Sequence, residues 1–191
     1  MISRLATLDP AASGRTAASR SFASRALGLC ILALVIAGVA ARLSPLVDVP
    51  GRLFWQFVTE DGYLMQTIAR NIALGLGMST AEGSMPTNGV QPLATFLFAG
   101  LHWLAGGSRA GGIALVTVAS TVIAAAAAWF GYRVALRLFA GLRHGRELAA
   151  LLAALWFVAP HTVANSMNGL ETGLYCLAIT FTPNPHLAPT D

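Results

Sequence analysis

Residues 110–132 read AGGIALVTVASTVIAAAAAWFGY, twenty-three positions without a charge, held between Arg109 and Arg133. A helix of that length rises about 34 Å, enough to cross the ~30 Å hydrocarbon core of a bilayer. Trp129, Phe130 and Tyr132 crowd one end, where amphipathic rings settle at a lipid–water interface. The stretch reads as a membrane span, and it sets the class of the whole chain.

The rest of the composition agrees with it. The 191 residues are 55% hydrophobic and 10% charged, with a mean hydropathy of +0.65, whereas soluble domains carry roughly 25% charged residues. That excludes a disordered chain, a nucleic-acid-binding arm and a disulfide scaffold. All 12 basic residues are Arg, and the net charge of +4 needs no acidic partner when Arg at loop ends orients a membrane protein. Cys30 and Cys176 lie far apart in apolar runs and read as small core residues. The expected fold is all-α and integral to the membrane, with several transmembrane helices and amphipathic juxtamembrane helices in a first outer loop.

Outward from the central span, residues 1–25 are rich in Ala, Ser and Arg and read as a disordered cytoplasmic tail. Residues 26–41 are uncharged, and this helix reaches Leu46 if Arg42 snorkels. A cleaved signal peptide competes, because Val39-Ala40-Ala41 is a passable cleavage site, but the basic tail and later spans favour an uncleaved anchor. Residues 148–164 form another span, with Trp156 and a terminal Pro160. Residues 92–105 are shorter than the ~20 residues of a spanning helix and carry Thr95 and His102.

Arginine placement decides how to treat that short segment. If 92–105 does not cross, Arg4, Arg15, Arg20, Arg25, Arg133, Arg137, Arg143 and Arg146 lie inside, and Arg42, Arg52, Arg70 and Arg109 outside. That is 8 against 4; if the segment crosses, the count becomes 5 against 7. The excess of positive charge on the cytoplasmic side favours the first arrangement. Residues 43–109 are therefore placed outside, with 92–105 as a juxtamembrane helix. A further apolar run from Met167 is cut by Thr182-Pro183-Asn184-Pro185, and prolines stop a helix. The domain plan is thus a tail at 1–25, a transmembrane module at 26–182 and an irregular tail at 183–191, with the chain expected to be truncated or frameshifted.

The outer loop carries the unusual chemistry. After Glu60-Asp61-Gly62-Tyr63, the residues Leu64, Met65, Ile68, Ala69, Ile72 and Ala73 fall on one helical face and Gln66, Thr67, Arg70 and Asn71 on the other. Gly75 and Gly77 supply a stop. This predicts an interfacial amphipathic helix with Asp61 at its start. Asp61 is either an N-cap or a catalytic carboxylate; two adjacent acids are more than a cap requires. Pro86-Thr87-Asn88-Gly89-Val90-Gln91-Pro92 is rich in turn formers. Glu171, in Asn168-Gly169-Leu170-Glu171-Thr172, is an acid at the edge of an apolar run, either snorkelling or functional. His161 reads as a polar interface residue. No phosphate-binding loop, nucleophile elbow or metal-ligand spacing is present.

Glu60-Asp61-Gly62-Tyr63, then Ile68-Ala69-Arg70-Asn71-Ile72-Ala73-Leu74-Gly75, then Pro86 to Leu93 together resemble the first outer loop of bacterial GT-C glycosyltransferases. That superfamily includes protein O-mannosyltransferases, lipid A aminoarabinose transferases and a rhizobial galacturonosyltransferase-like group. Asn168-Gly169-Leu170-Glu171-Thr172 is similar to a second outer-face motif of the group. The resemblance covers residues 26–182, about the N-terminal third of such an enzyme, so the later spans and any outer domain of the family are missing and the fold is expected to be a truncated GT-C fold.

The resemblance implies a multi-pass protein of the bacterial cytoplasmic membrane with its N-terminus inside. Its partners would be the lipid bilayer and a polyprenyl-phosphate-linked sugar, with no nucleic acid, and it would transfer the sugar to a cell-envelope acceptor on the outer face. It assigns Asp61 as general base, with Glu60 beside it and Glu171 as a second acid orienting the acceptor or a divalent ion. No metal is assigned and the cofactor is left open. Arg70 and Asn71 would face the donor phosphate, although a lone Arg on a polar face is more often simply solvated. Asn88, Gln91 and Asn168 would bind substrate. A non-catalytic membrane protein (an assembly subunit, transporter piece or inactive gene remnant) is the alternative. The gathering of acids and Asn at one membrane face favours the enzyme, because transporters place ionisable groups nearer the middle of their spans.

This topology makes a direct prediction. Reporter domains fused after Gly107 and after Gly145 should report outside and inside, respectively, and any other pair of results breaks the arrangement.

Overall fold

A computed structural model describes residues 10–48 and 51–181. The chain is mostly helical: α1 (Pro10–Leu43), α2 (Gly51–Trp55), α3 (Glu60–Ala73), α4 (Pro92–Leu104), α5 (Arg109–Leu138), α6 (Gly145–Val158), α7 (Pro160–Ser166) and α8 (Thr172–Phe181). Helix α1 and the 3-10 turn after it (Ser44–Val47) contain one segment long and apolar enough to cross a membrane, Ser24–Val47, and α5 is another. The pair α6–α7 adds a third if its two arms, bent by 60°, count as one broken span.

Helix α1 begins at Pro10, inside the stretch expected to be a disordered tail; residues 1–9 and 182–191, including the expected irregular C-terminal tail, lie outside the described residues. The short segment 92–105 is the 13-residue α4. At 1.5 Å per residue it rises about 20 Å, less than a bilayer core.

Helix α5 is the central element and packs on α4, α6, α8 and α1. Small side chains make the approach close: Ala124, Ala127 and Ala135 of α5 and Ala149 and Ala154 of α6 are all buried, as in helix pairs joined by packing alone. The hydroxyls in this apolar run turn back on their own helix, Thr117 to the Ile113 carbonyl and Thr121 to the Thr117 carbonyl, each at 2.9 Å. A second cluster forms where α3 and α4 meet α5, around Ala69, Phe98, Ala99 and Val116. Cys30 is exposed and Cys176 half-buried, both free, so neither is the core residue expected.

Arg42 corrects the expectation of a snorkelling side chain. It is fully buried. Its Nη1 donates to the Phe157 carbonyl at 2.7 Å and to the Gly38 carbonyl at 3.0 Å, and its Nε donates to Ser166 Oγ at 3.3 Å. The guanidinium carbon lies 4.2 Å from the centre of the Phe157 ring. Helix α6 ends at Val158, before Pro160, so the Phe157 carbonyl has no donor from a following turn. Arg42 supplies one from another helix. Gly38, one turn earlier, makes room, because a Cβ there would lie 2.6 Å from Phe157 Cδ1.

These contacts fix the relative directions of the helices. The C-terminal ends of α1 and α6 adjoin, so the two run parallel, while the short turn Phe139–His144 returns α5 into α6. One end of the bundle therefore collects exposed Arg133, Arg137, Arg143 and Arg146, with exposed Arg25 on α1 about 25 Å before Arg42 in the same direction. The opposite end holds α2–α4, the α6–α7 break and the start of α8.

Arg42→Ala should lower stability by about 3 kcal/mol, since it orphans the buried Phe157 carbonyl as well as removing packing. Arg42→Lys should recover only part of this, because an ammonium lacks the planar fork. Thermal unfolding in detergent measures both; an unchanged midpoint for Arg42→Ala would show that the clamp contributes nothing.

Candidate functional site

Helix α3 starts at Glu60, and its cap is Thr59, whose Oγ1 accepts from Gly62 N at 3.2 Å. Asp61 is therefore not the cap. It sits exposed in the first turn beside Glu60, where the positive end of the helix dipole favours carboxylates. The turn is pinned to a distant segment: Thr59 N and Oγ1 donate to the Asn168 carbonyl at 3.2 and 3.3 Å. Gly62 makes this approach feasible, because a Cβ at that position would run into the Asn168 carbonyl oxygen. Gly169, at φ +82°, completes the contact; a Cβ on it would stand 3.1 Å from Gly62 Cα. At that φ, glycine avoids the steric cost other residues meet.

The Asn168 side chain shapes the following turn, with Oδ1 accepting from Leu170 N at 3.0 Å and Nδ2 donating to Thr172 Oγ1 at 3.4 Å. Gln91, before the first turn of α4, accepts from Glu171 N through Oε1 at 3.2 Å. The Tyr175 amide donates to the Glu171 carbonyl at 3.0 Å. Glu171 is thus held by Gln91 at its amide and by Tyr175 in α8. The stretches bearing Glu60 and Asp61, Gln91, and Asn168 with Glu171 meet at one end of the bundle, although Glu60 and Glu171 are 111 positions apart. Asn88 lies exposed in the loop just before Gln91.

Arg70 and Asn71 do not join them. Nine residues from Asp61 place Arg70 about 13 Å along α3 and about half a turn around it. Its Nε donates to the Gly107 carbonyl at 2.7 Å. Asn71 is buried, and its Nδ2 donates to the Ser79 carbonyl at 2.8 Å. That bond ties α3 to a small hairpin in which β1 (Ser79–Thr80) pairs with β2 (Met85–Pro86). Asn71 is therefore a structural residue rather than one facing a phosphate.

The polar side of α3 is also not simply solvated. Gln66 is buried and its Oε1 lies 3.1 Å from His102 Nε2, while Leu64, expected on the apolar face, is exposed. His102 fits because residue 112 is glycine; a Cβ there would overlap the imidazole. Burial, assisted by the nearby Arg70 charge, lowers the His102 pKa from 6.5 to about 4, so the ring is neutral at pH 7. Its Nε2–H donates to Gln66 in the tautomer the pair requires. Around this pair lies a cavity of about 430 Å³ lined also by Phe54, Tyr63, Arg70 and Arg109. The Tyr63 hydroxyl donates to the Phe54 carbonyl, and burial raises its pKa. Sequence pattern alone missed this cavity; His102 and Gln66 looked like two unrelated polar residues. Among the described residues no three His, Cys, Asp or Glu side chains converge as metal ligands.

No protein-family model matches the chain, and neither a curated protein nor a solved structure is significantly similar to it.

A histidine held neutral costs folding free energy once the unfolded chain takes up its proton more readily. The His102 contribution to stability should be independent of pH above about 7 and fall as pH drops from about 6.5 toward 4. The difference in unfolding midpoint between wild type and His102→Gln should change across that interval. A pH-independent difference would show that the ring is not held neutral.

Proposed function

We propose that the chain is the membrane module of a glycosyltransferase that takes sugar from a polyprenyl-phosphate donor and passes it to a cell-envelope acceptor. The observation that carries this reading is the convergence of three separate polar segments, through the Gly62–Asn168–Gly169 contact, on the end of the bundle opposite Arg133, Arg137, Arg143 and Arg146. The arginine distribution supports a cytoplasmic N-terminus and an outward-facing site. The same face would lie at the outer surface of a bacterial cytoplasmic membrane. Outer-face chemistry suits a donor carried by a lipid, because the sugar and its phosphate arrive in the plane of the bilayer.

In this mechanism Asp61 is the general base. Its carboxylate takes the proton of the acceptor hydroxyl or amine as that group bonds to the anomeric carbon. The bond from the anomeric carbon to the phosphate oxygen breaks, and its electron pair leaves with the polyprenyl phosphate. In the first turn of α3 the base is exposed to an incoming acceptor, with the positive end of the helix dipole beside it. Glu60 adds negative charge beside it. Glu171, fixed by Gln91 and Tyr175, orients the acceptor, with Asn168 and Asn88 at the edges of the substrate site.

Asp61→Asn, in membranes from cells producing this protein, should lower transfer by about 10²-fold or more, roughly what loss of a positioned base costs. Membrane insertion should be unchanged. Retained turnover would remove Asp61 from the mechanism, and dispensability of Glu60, Asp61 and Glu171 together would favour a non-catalytic membrane protein.

A further inference from the structure

The cavity beside Gln66 faces away from the carboxylate end of α3 and has a different chemistry. Arg70 enters it half-buried, its Nε fixed on the Gly107 carbonyl and its two terminal nitrogens left for another partner. Arg109, the first residue of α5, enters from the other side. Among the described residues neither guanidinium is paired with a carboxylate. Gln66 is buried, its Oε1 is taken up by His102, and its Nε2 has no hydrogen-bond partner among the described residues. A buried amide N–H without a partner is uncommon in native proteins and points to a ligand or water that completes it. The groups offered to the space are thus two cations and a buried amide donor, an arrangement that suits a multiply accepting anion.

The walls indicate what carries that anion. Phe54, Trp55 and Ile113 line the same cavity, and Trp55 is 85% exposed. The outward side of neighbouring α4 shows Leu93, Phe96, Trp103 and Leu104, an apolar surface next to the cavity of the kind that lies against lipid. A small soluble anion needs no such wall, whereas a molecule with a phosphate head and hydrocarbon tails uses both parts.

We propose that this cavity binds the phosphodiester headgroup of an anionic membrane phospholipid, with Arg70, Arg109 and the Gln66 amide on the phosphate oxygens and the acyl chains along α4. The bound lipid fastens α3 to the start of α5. The site rests on the chain being embedded in a membrane but not on its transferring a sugar, so the two readings fail separately.

The test uses the purified full chain in a neutral detergent, with thermal unfolding followed in the presence of phosphatidylglycerol, phosphatidylcholine or inorganic phosphate. Phosphatidylglycerol should raise the midpoint and the other two should not. Arg109→Gln changes an exposed side chain and leaves the internal hydrogen bonds intact, so it should fold normally while weakening phosphatidylglycerol binding about tenfold or more, one charge-assisted contact being worth ~1.4 kcal/mol or above. Arg133→Gln, at the opposite end of the bundle, should leave the lipid effect unchanged. Native mass spectrometry, counting bound lipids, gives a readout independent of stability. Equal shifts with phosphatidylcholine, an equal shift with inorganic phosphate, or equal losses in the Arg109 and Arg133 variants would each overturn the assignment: the first removes the need for charge, the second the lipid source, and the third the location.

Discussion

The Arg42 guanidinium holds together the two parts of the molecule that matter most. Helix α6 must end before Pro160, and ending it inside an apolar bundle leaves carbonyls that water does not reach. Arg42 donates to one of them from α1 and to Ser166 at the end of α7. A single side chain therefore fixes both arms of the bent segment against the first long helix. The segment that follows α7, Met167 to Glu171, inherits its position from that bend. Without it, nothing would deliver the Asn168 carbonyl to the start of α3. The Phe157 ring contributes twice, by receiving the guanidinium on its face and by filling the space that Gly38 leaves open.

From that clamp the candidate site follows by close backbone approach rather than by side-chain packing. Two glycines, Gly62 and Gly169, lie where α3 meets the Asn168 turn, and any Cβ at either would separate them. The polar residues on either side are thereby set at fixed heights on the same end of the bundle. Gln91 adds a third tether through the Glu171 amide. Several short contacts to backbone atoms make a rigid frame, and they leave the Glu60 and Asp61 carboxylates exposed at its rim.

What the sequence made legible divides along physical lines. The uncharged run at 110–132 announced α5, the period of apolar residues after Asp61 announced α3, Gly75 its end, and Pro160 the break after α6. Each of these is local, since a helix and its stop are written in neighbouring residues. The glycines of Glu60-Asp61-Gly62 and Asn168-Gly169 were visible too, but their mutual contact is not, because it spans more than a hundred residues. Arg42 looked like a snorkelling side chain, and only the position of Phe157 shows that it turns inward. Gln66 was legible only as part of a polar face and Asn71 was expected at a donor phosphate, since a polar face on one helix does not reveal whether His102 or the Ser79 carbonyl will cover it. Asp61 could be read as a cap, but Thr59 two positions earlier offers an equivalent side-chain oxygen, and the choice between them depends on where the Asn168 carbonyl lies.

Helix α3 emerges with two unlike ends and two unlike sides. Its first turn presents Glu60 and Asp61, both exposed and negative. Half a turn around and about 13 Å along, Arg70 and the donor-rich cavity present the opposite charge. A dipole keeps the acids favourable at the N-terminal turn, and the Arg near the other terminus is favourable there too, so the helix tolerates both without a salt bridge between them. The separation has a consequence for any phosphate-bearing molecule: one held at the cavity is too far around the helix to be touched by the carboxylates. The chemistry proposed at Asp61 and the anchoring proposed at Arg70 therefore fall on opposite sides of a single 14-residue helix, with the buried His102–Gln66 pair, neutral at pH 7, lying between α3 and α4 and adding no charge to either side.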